Sequence, residues 1–214
     1  MKLYLSSYKF GDQPNRLVSL FGGNKKIALI SNSLDFSNDL ERLEKQQKEQ
    51  LEGLSNLGLD PEAIDLRDYF DKKGTLEQKL EEFAGVWVRG GNVFVLRVAY
   101  KLSGFDEIVK GYVETHDDFV YSGFSAGCCI LSPDLKGFEL VDDSKLVESA
   151  YQHEVVREGL GLIDYAFIPH YKSDHPESES IDKVVEWYKN KGLEYKTLRD
   201  GEAIIYEDLR TLRS

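Results

Sequence analysis

The sequence has few of the residues that mark disulfide-rich or low-complexity proteins. It contains two cysteines in 214 residues, and they are adjacent, Cys128 and Cys129. Neighbouring α-carbons lie about 3.8 Å apart, closer than a disulfide usually allows, so we expect free thiols in a reducing compartment. Five prolines, no repeat and no Gly- or Ser-rich linker argue against a collagen-like, disordered or divided chain. We therefore expect one domain over residues 1–214.

The sequence also lacks a long apolar run. The most apolar region, 85–100, is interrupted by Arg89, by two glycines and by Arg97, and falls short of the roughly 18 residues that a membrane-spanning helix needs. The first residues show no apolar segment or small-residue cleavage site of a secretory signal. These features predict a cytoplasmic protein that does not cross a membrane.

Positive charge is scarce as well. The chain has 27 Lys and Arg against 38 Asp and Glu, for a net charge of -11. Such a surface repels phosphate backbones and anionic lipid headgroups, so we expect neither a nucleic acid nor a membrane as partner. With 41% hydrophobic residues, the chain is long enough to form a core without a metal or disulfides, as a monomer or a homodimer.

Short apolar runs alternate with helical patterns through most of the chain. This alternation predicts an α/β fold, a mostly parallel sheet with helices on both faces. Two extended runs around Asp200-Gly201 predict a C-terminal hairpin at the sheet edge. The strands are expected near residues 2–6, 26–31, 62–66, 85–89, 118–122 and 164–169.

The motif Gly-Phe-Ser-Ala-Gly at 123–127 follows a predicted strand and precedes a helix-compatible segment. A serine on such a strand-to-helix turn is exposed at the carboxyl end of the sheet, which is the arrangement of a nucleophile elbow. Ser125 is therefore the candidate nucleophile. The N–H of Ala126, at the positive end of the following helix, is a candidate oxyanion donor. A simple close-packed turn is the alternative interpretation.

A second glycine turn, Arg89-Gly90-Gly91-Asn92, follows the predicted strand at 85–89. In a parallel sheet this turn lies at the same edge as Ser125, where ligands bind. An N–H of Gly90 or Gly91 is thus a candidate second oxyanion donor. Asn92 is expected either to contact substrate or to cap the next helix.

His170 ends a predicted strand in the same way, within Pro169-His170-Tyr171. A serine nucleophile needs a neighbouring base, and a neutral imidazole suits that role near pH 7. His116 and His153 lie in polar stretches, and His175 lies in a loop. Placement at a strand end favours His170 as the base.

Taken together, the Gly-Gly-Asn turn, the GFSAG elbow and the segment ending in Pro169-His170 resemble peptidase E, a family of serine aspartyl dipeptidases that includes cyanophycinase. The resemblance implies a flavodoxin-like fold related to class I glutamine amidotransferases, with a serine in place of their elbow cysteine. It implies no metal and no organic cofactor. Cys128 and Cys129 lie past the elbow, which argues against a cysteine nucleophile.

The resemblance also suggests the acid that orients the histidine. An acidic residue before a late glycine matches Asp200, although Glu is more familiar there, and Asp-Gly is equally a turn sequence. Other family patterns place the acid between Ser and His, which leaves Asp142 or Asp143 as alternatives. The Arg that follows the histidine in aspartyl dipeptidases is missing. Lys172 is the cation nearest to that motif and the candidate substrate-binding residue, with Arg89 and Arg97 as further cations.

These observations predict a serine peptidase of small peptides, a dipeptidase or an enzyme that trims N-terminal residues. Ser125, His170 and Asp200 would form its triad, and backbone N–H groups would bind the oxyanion. Two alternatives remain: an amidase or isopeptidase of the cyanophycinase type, and a catalytically inactive domain that keeps the fold. The inactive domain would be favoured if no acid approached His170.

Overall fold

The computed structural model describes residues 1–212 of the chain, and Arg213 and Ser214 of the expected domain lie outside them. Among these described residues the strands are β1 (Lys2–Ser6), β2 (Lys26–Ile30), β3 (Asp60–Ile64), β4 (Gly85–Val88), β5 (Val120–Phe124), β6 (Ala166–Ile168), β7 (Tyr195–Thr197) and β8 (Ala203–Tyr206). The α-helices are α1 (Pro14–Leu20), α2 (Leu40–Asn56), α3 (Lys73–Leu80), α4 (Val93–Ser103), α5 (Phe105–Thr115), α6 (Ala126–Cys129), α7 (Leu146–Tyr151) and α8 (Ser178–Lys191).

The main sheet has six strands in the order β3-β2-β4-β5-β1-β8. The first five are parallel, and β8 joins β1 antiparallel at one edge. The α/β prediction is therefore confirmed, and the strands lie within a few residues of the expected positions. None of the helices in residues 1–212 is both long enough and apolar enough to cross a bilayer.

Both faces of the sheet are covered, which is why its central strands are apolar throughout. Side chains alternate between the two faces, so Ile27 and Leu29 pack toward α1 and α2, whereas Ala28 and Ile30 pack toward the larger helical layer that contains α4 and α5. The parallel pairing of neighbouring strands fixes the register of their carboxyl ends.

The predicted C-terminal hairpin is wrong in one respect. β8 does lie at the edge of the main sheet, but β7 pairs in parallel with β6 in a separate two-stranded sheet. The strand expected at 164–169 therefore lies outside the main sheet. The turn at Asp200-Gly201 carries the chain from one sheet to the other, since β7 pairs with β6 and β8 pairs with β1. Local alternation indicates that a segment is extended but does not identify its partner.

Candidate active site

Four adjacent parallel strands end in polar residues at the same edge of the sheet. In the spatial order β2, β4, β5, β1, the residues that follow them are Ser31, Arg89, Ser125 and Ser7. The register pairs Val88 with Gly123 and Ser6 with Phe124, so these ends are level with one another. The sheet thus presents a row of polar groups at its carboxyl edge, as expected for Ser125 and the Gly90-Gly91 turn.

Ser125 has a strained backbone, with φ 50° and ψ −122°. Its N–H donates to the carbonyl of Ser6, and its carbonyl accepts from the N–H groups of Cys128 and Cys129. This is the geometry of a strand-to-helix elbow, and strain of this kind is concentrated at functional sites. The N–H of Ala126, in the first turn of α6, has no hydrogen-bond acceptor among the described residues.

The Gly90-Gly91 turn lies directly against the elbow. A Cβ added to Gly90 would come within 2.9 Å of the Ser125 Cβ, so only glycine permits this approach. The Ser33 hydroxyl donates to the Gly90 carbonyl at 2.9 Å, and the Ser33 carbonyl accepts from Asn92 N–H. The N–H of Gly91 belongs to the same planar peptide unit as that carbonyl and therefore points away from Ser33. It has no acceptor within residues 1–212.

Asn92 is occupied by structural hydrogen bonds. Its Oδ1 accepts from the N–H groups of Phe94 and Val95, which caps α4, and its Nδ2 donates to the carbonyl of Asp143. The structure thus shows the capping role, and substrate binding by Asn92 stays a prediction. Lys172 is exposed, and its ammonium group lies 5.0 Å from the centre of the Tyr171 ring.

His170 and Asp200 meet because β6 and β7 run in parallel. Ile168 pairs with Thr197, so the segments that follow these two residues leave the small sheet side by side. His170 Nδ1 lies 2.7 Å from Asp200 Oδ1. A carboxylate only accepts hydrogen bonds, so the Nδ1–H donates and Nε2 of the neutral ring is left to act as a base.

Ser7, which the sequence analysis did not single out, connects this pair to the main sheet. Its hydroxyl donates to Asp200 Oδ1 at 2.9 Å and accepts from the His170 N–H at 2.9 Å. The signal available in the sequence was its position directly after β1. Asp200 is anchored a second time through its own N–H, which donates to Ser173 Oγ.

His170 is almost completely buried and packs against two further rings. The His175 ring stacks on it at 3.7 Å, and Tyr8 approaches both imidazoles edge-on. Burial lowers the pKa of His170 below its ordinary 6.5; the hydrogen bond to Asp200 opposes this shift, and nearby His175 adds to it. No hydrogen bond joins Ser125 Oγ to His170 among the described residues, and such contacts commonly tighten only with substrate bound.

Asp142, the alternative acid, lies in a different part of the site. Its Oδ2 accepts from the Val93 N–H at 2.7 Å, at the start of α4. Burial and the nearby charge of Glu177 raise the pKa of Asp142 to about 7, although the Val93 N–H opposes the shift. Asp142 shares with Ser125 a small cavity of about 20 Å³, whose walls also include Gly91, Ala126, Cys129, Phe138, Val141, Pro169, Glu177 and Ile181.

The two cysteines are unsuited to act as nucleophiles. Both are buried and free, and burial raises the pKa of each thiol well above its ordinary value. The reactive form of cysteine is the thiolate, which burial of these thiols disfavours.

His170, His175 and Glu177 place potential ligand atoms within 4.8 Å of one another. Stacked parallel rings direct their nitrogen lone pairs alongside each other rather than toward a common point, which is poor geometry for a shared metal ion.

Comparison with known proteins identifies the family to which this chain belongs. The model of peptidase family S51 matches residues 14–212. A structure from Listeria monocytogenes EGD-e, provisionally identified as a peptidase E, is 26% identical with a TM-score of 0.74 and covers 96% of this chain and 93% of its own. A peptidase from an acI-B1 actinobacterium is 15% identical with a TM-score of 0.69 over 96% of this chain and 82% of its own, and so shows similarity of fold alone. No curated protein matches the sequence. With its family model aligned over nearly the whole chain, the protein belongs to peptidase family S51, a family of serine peptidases.

Proposed function

We propose that this serine peptidase hydrolyses short peptides through a triad of Ser125, His170 and Asp200. The observation that carries the proposal is the 2.7 Å hydrogen bond between His170 Nδ1 and Asp200 Oδ1. Asp200 holds the imidazole in one tautomer and stabilises its protonated form. His170 Nε2 takes the proton from the Ser125 hydroxyl as it attacks the scissile carbonyl, and later donates that proton to the leaving amine.

The oxyanion of the tetrahedral intermediate binds to backbone N–H groups. Ala126 and Gly91 are the donors that the geometry favours, with Gly90 next to them. The N–H groups of Ala126 and Gly91 lack an acceptor within residues 1–212, and the Ser33 hydroxyl holds the Gly90-Gly91 peptide unit in place. Donors fixed in this way stabilise developing charge without reorganisation, an effect worth about 3 to 4 kcal/mol for a single donor.

The substrate is a short peptide with a free amino terminus. The cavity beside Ser125 has a volume of about 20 Å³, room for one group of the size of water or ammonium. Asp142 and Glu177 are on its walls, and its lining within the described chain includes no Lys or Arg. An α-ammonium group fits the size of this cavity and would find acceptor oxygens on Asp142 and Glu177, and it lies only two bonds from the carbonyl carbon that Ser125 attacks. The peptide chain is therefore cut after its first residue.

Hydrolysis of a panel of X-Leu dipeptides and aminoacyl-p-nitroanilides tests the proposal, with Asp, Glu, Gly, Ser and Lys as the first residue. Removal of the nucleophile in Ser125→Ala should lower kcat by about 10⁴-fold or more. Ser149→Ala is the matched control, because Ser149 is exposed and its hydroxyl donates to the Leu146 carbonyl within α7, and the activity of this variant should equal that of the parent.

N-acetylated versions of the same substrates test the amino-terminal subsite. Acetylation removes the positive charge, so kcat/KM should fall by about tenfold or more in the parent protein. Equal activity of Ser125→Ala and the parent would exclude Ser125 as the nucleophile. Equal turnover of free and acetylated substrates would exclude the proposed binding of the amino terminus.

A further inference from the structure

Arg89 occupies the position between two hydroxyl groups at the carboxyl edge of the sheet. It follows β4, while Ser31 follows β2 on one side and Ser125 follows β5 on the other. Neighbouring strands are about 4.8 Å apart, so the Arg89 backbone lies roughly that distance from each of them. By the alternation of side chains along β4, Arg89 is on the same face as Trp87, which packs toward α2.

The guanidinium group of Arg89 has no hydrogen-bond or ion-pair partner among residues 1–212. Its Nε and Nη1 atoms are buried without a hydrogen bond, and no carboxylate of the described residues lies within ion-pair distance. Burial lowers the pKa of Arg89, yet a guanidinium stays charged near neutral pH. The buried Arg97, by contrast, is paired within the protein, because it donates to the Glu158 carbonyl at 2.8 Å and to Asp106 at 2.9 Å. Buried guanidinium donors without an acceptor are costly and require an explanation.

A second unpartnered group lies in the same place. Ser31 Oγ is buried without a hydrogen bond, and Ser31 and Arg89 line one cavity of about 350 Å³ between the sheet edge and α2. This volume lies within the range of small-molecule sites. The guanidinium fork and the hydroxyl together offer donors to an anion, and guanidinium groups bind carboxylates in bidentate fashion.

Four acidic residues also line this cavity, Asp35, Glu44, Asp65 and Asp68, and two of them are already paired within the protein. Asp65 is held by Arg67 at 2.6 Å and by Asn32, and Asp35 accepts hydrogen bonds from Asn32 and Tyr151. Burial raises the pKa of Asp35, and its hydrogen bonds with Tyr151 and Asn32 oppose the shift. Asp35 and Asp65 are thus already satisfied by the protein, whereas the donors of Arg89 and the hydroxyl of Ser31 are not.

We propose that Arg89 and Ser31 form a subsite that binds a carboxylate of the peptide substrate next to Ser125. The proposal rests on the peptidase function given above. The carboxylate has two possible sources, the acidic side chain of the first residue and the carboxyl terminus of a short peptide. Both belong to a molecule whose scissile carbonyl is at Ser125, on the strand next to that of Arg89.

Binding to the Ser125→Ala protein tests the subsite without turnover. Four ligands distinguish the sources: Asp-Leu, Asn-Leu and the C-terminal amides of both, each titrated by calorimetry. Arg89→Gln should weaken the binding of ligands that carry the recognised carboxylate by about tenfold or more. If the carboxylate is the side chain of the first residue, only the two Asp ligands should bind more weakly. If it is the C-terminus, only the two ligands with a free C-terminal acid should bind more weakly. Arg42→Gln is the matched control, because Arg42 is an exposed cation of α2 near Arg89, and it should leave all four affinities unchanged.

Equal weakening of all four ligands, no weakening at all, or no binding of any ligand to the Ser125→Ala protein would overturn the subsite. Arg89→Lys keeps the charge but loses the fork, and should also weaken the binding of the recognised ligands if Arg89→Gln does not fold. Hydrolysis by the protein with Ser125 intact separates the two proposals. Selective binding without any hydrolysis would support the subsite and refute the peptidase mechanism. Hydrolysis at the same rate by Arg89→Gln and the parent would support the peptidase mechanism and refute the subsite.

Discussion

Asp142 carries a buried carboxyl group, and its replacement by an uncharged amide should stabilise the protein. Its pKa rises from an ordinary 3.8 to about 7, chiefly through burial and also through the charge of Glu177. The folded protein therefore keeps this proton up to about pH 7, whereas the unfolded chain releases it near pH 4. The free energy of unfolding consequently falls as pH rises through this window. A shift of about three units corresponds to at most about 4 kcal/mol at pH 8.

Asp142→Asn removes the charge but keeps an oxygen that can accept from the Val93 N–H. We expect the variant to be more stable than the parent by about 1 to 4 kcal/mol at pH 8, and this gain should shrink steadily toward pH 4. Urea unfolding of both proteins at intervals from pH 4 to pH 8 measures the difference. Asp143→Asn, at an exposed neighbouring carboxylate, is the control and should show no such trend. A variant that is less stable at pH 8, or a gain that does not depend on pH, would refute the reasoning.

Three further predictions follow from the contacts of the site. Ser7→Ala removes the hydroxyl that donates to Asp200 and accepts from the His170 N–H, so kcat should fall about tenfold or more while KM changes little. Steady-state kinetics test this with Ser149→Ala as the control, and an unchanged kcat would contradict it. Because His175 helps to lower the pKa of His170, His175→Gln should move the acid limb of the kcat/KM profile to higher pH, and an unmoved limb would argue against coupling of the two rings. Both cysteine thiols should react with Ellman's reagent only after unfolding, since burial raises their pKa; rapid labelling of the native protein would be inconsistent with their burial.

The carboxyl-edge residues could be predicted because each depends on local sequence. Ser125 and Gly91 follow apolar strands of the main sheet, whose parallel strands end at a common edge, and His170 follows the apolar strand β6 of the small sheet. The helix cap formed by Asn92 and the exposed position of the elbow are local properties of the same kind. Periodicity and turn residues suffice to predict such features.

The remaining parts of the site depend on contacts between distant segments. Ser7 is 163 residues from His170 and 193 from Asp200, and the sequence around position 7 does not predict either contact. Asp200 was suggested by family resemblance, since its own sequence context indicates only a turn. Its approach to His170 requires the parallel pairing of β6 with β7, whereas the local pattern favoured a hairpin of β7 with β8. Strand partners are chosen by tertiary packing, which one sequence does not reveal.

The strained backbone of Ser125 is maintained by the same contacts that bring the site together. A conformation of this kind costs about 1 to 3 kcal/mol and persists only where the surroundings over-determine it. Here the Ser6 carbonyl holds the Ser125 N–H, and the first turn of α6 holds its carbonyl. On either side, a Cβ added to Gly123 or Gly127 would collide with the backbone of Val88 in the neighbouring strand. The two glycines therefore let β4 approach the elbow closely enough to bring the Gly90-Gly91 turn against Ser125, so that the spacing of the GFSAG motif serves the packing of two strands as well as the exposure of a hydroxyl.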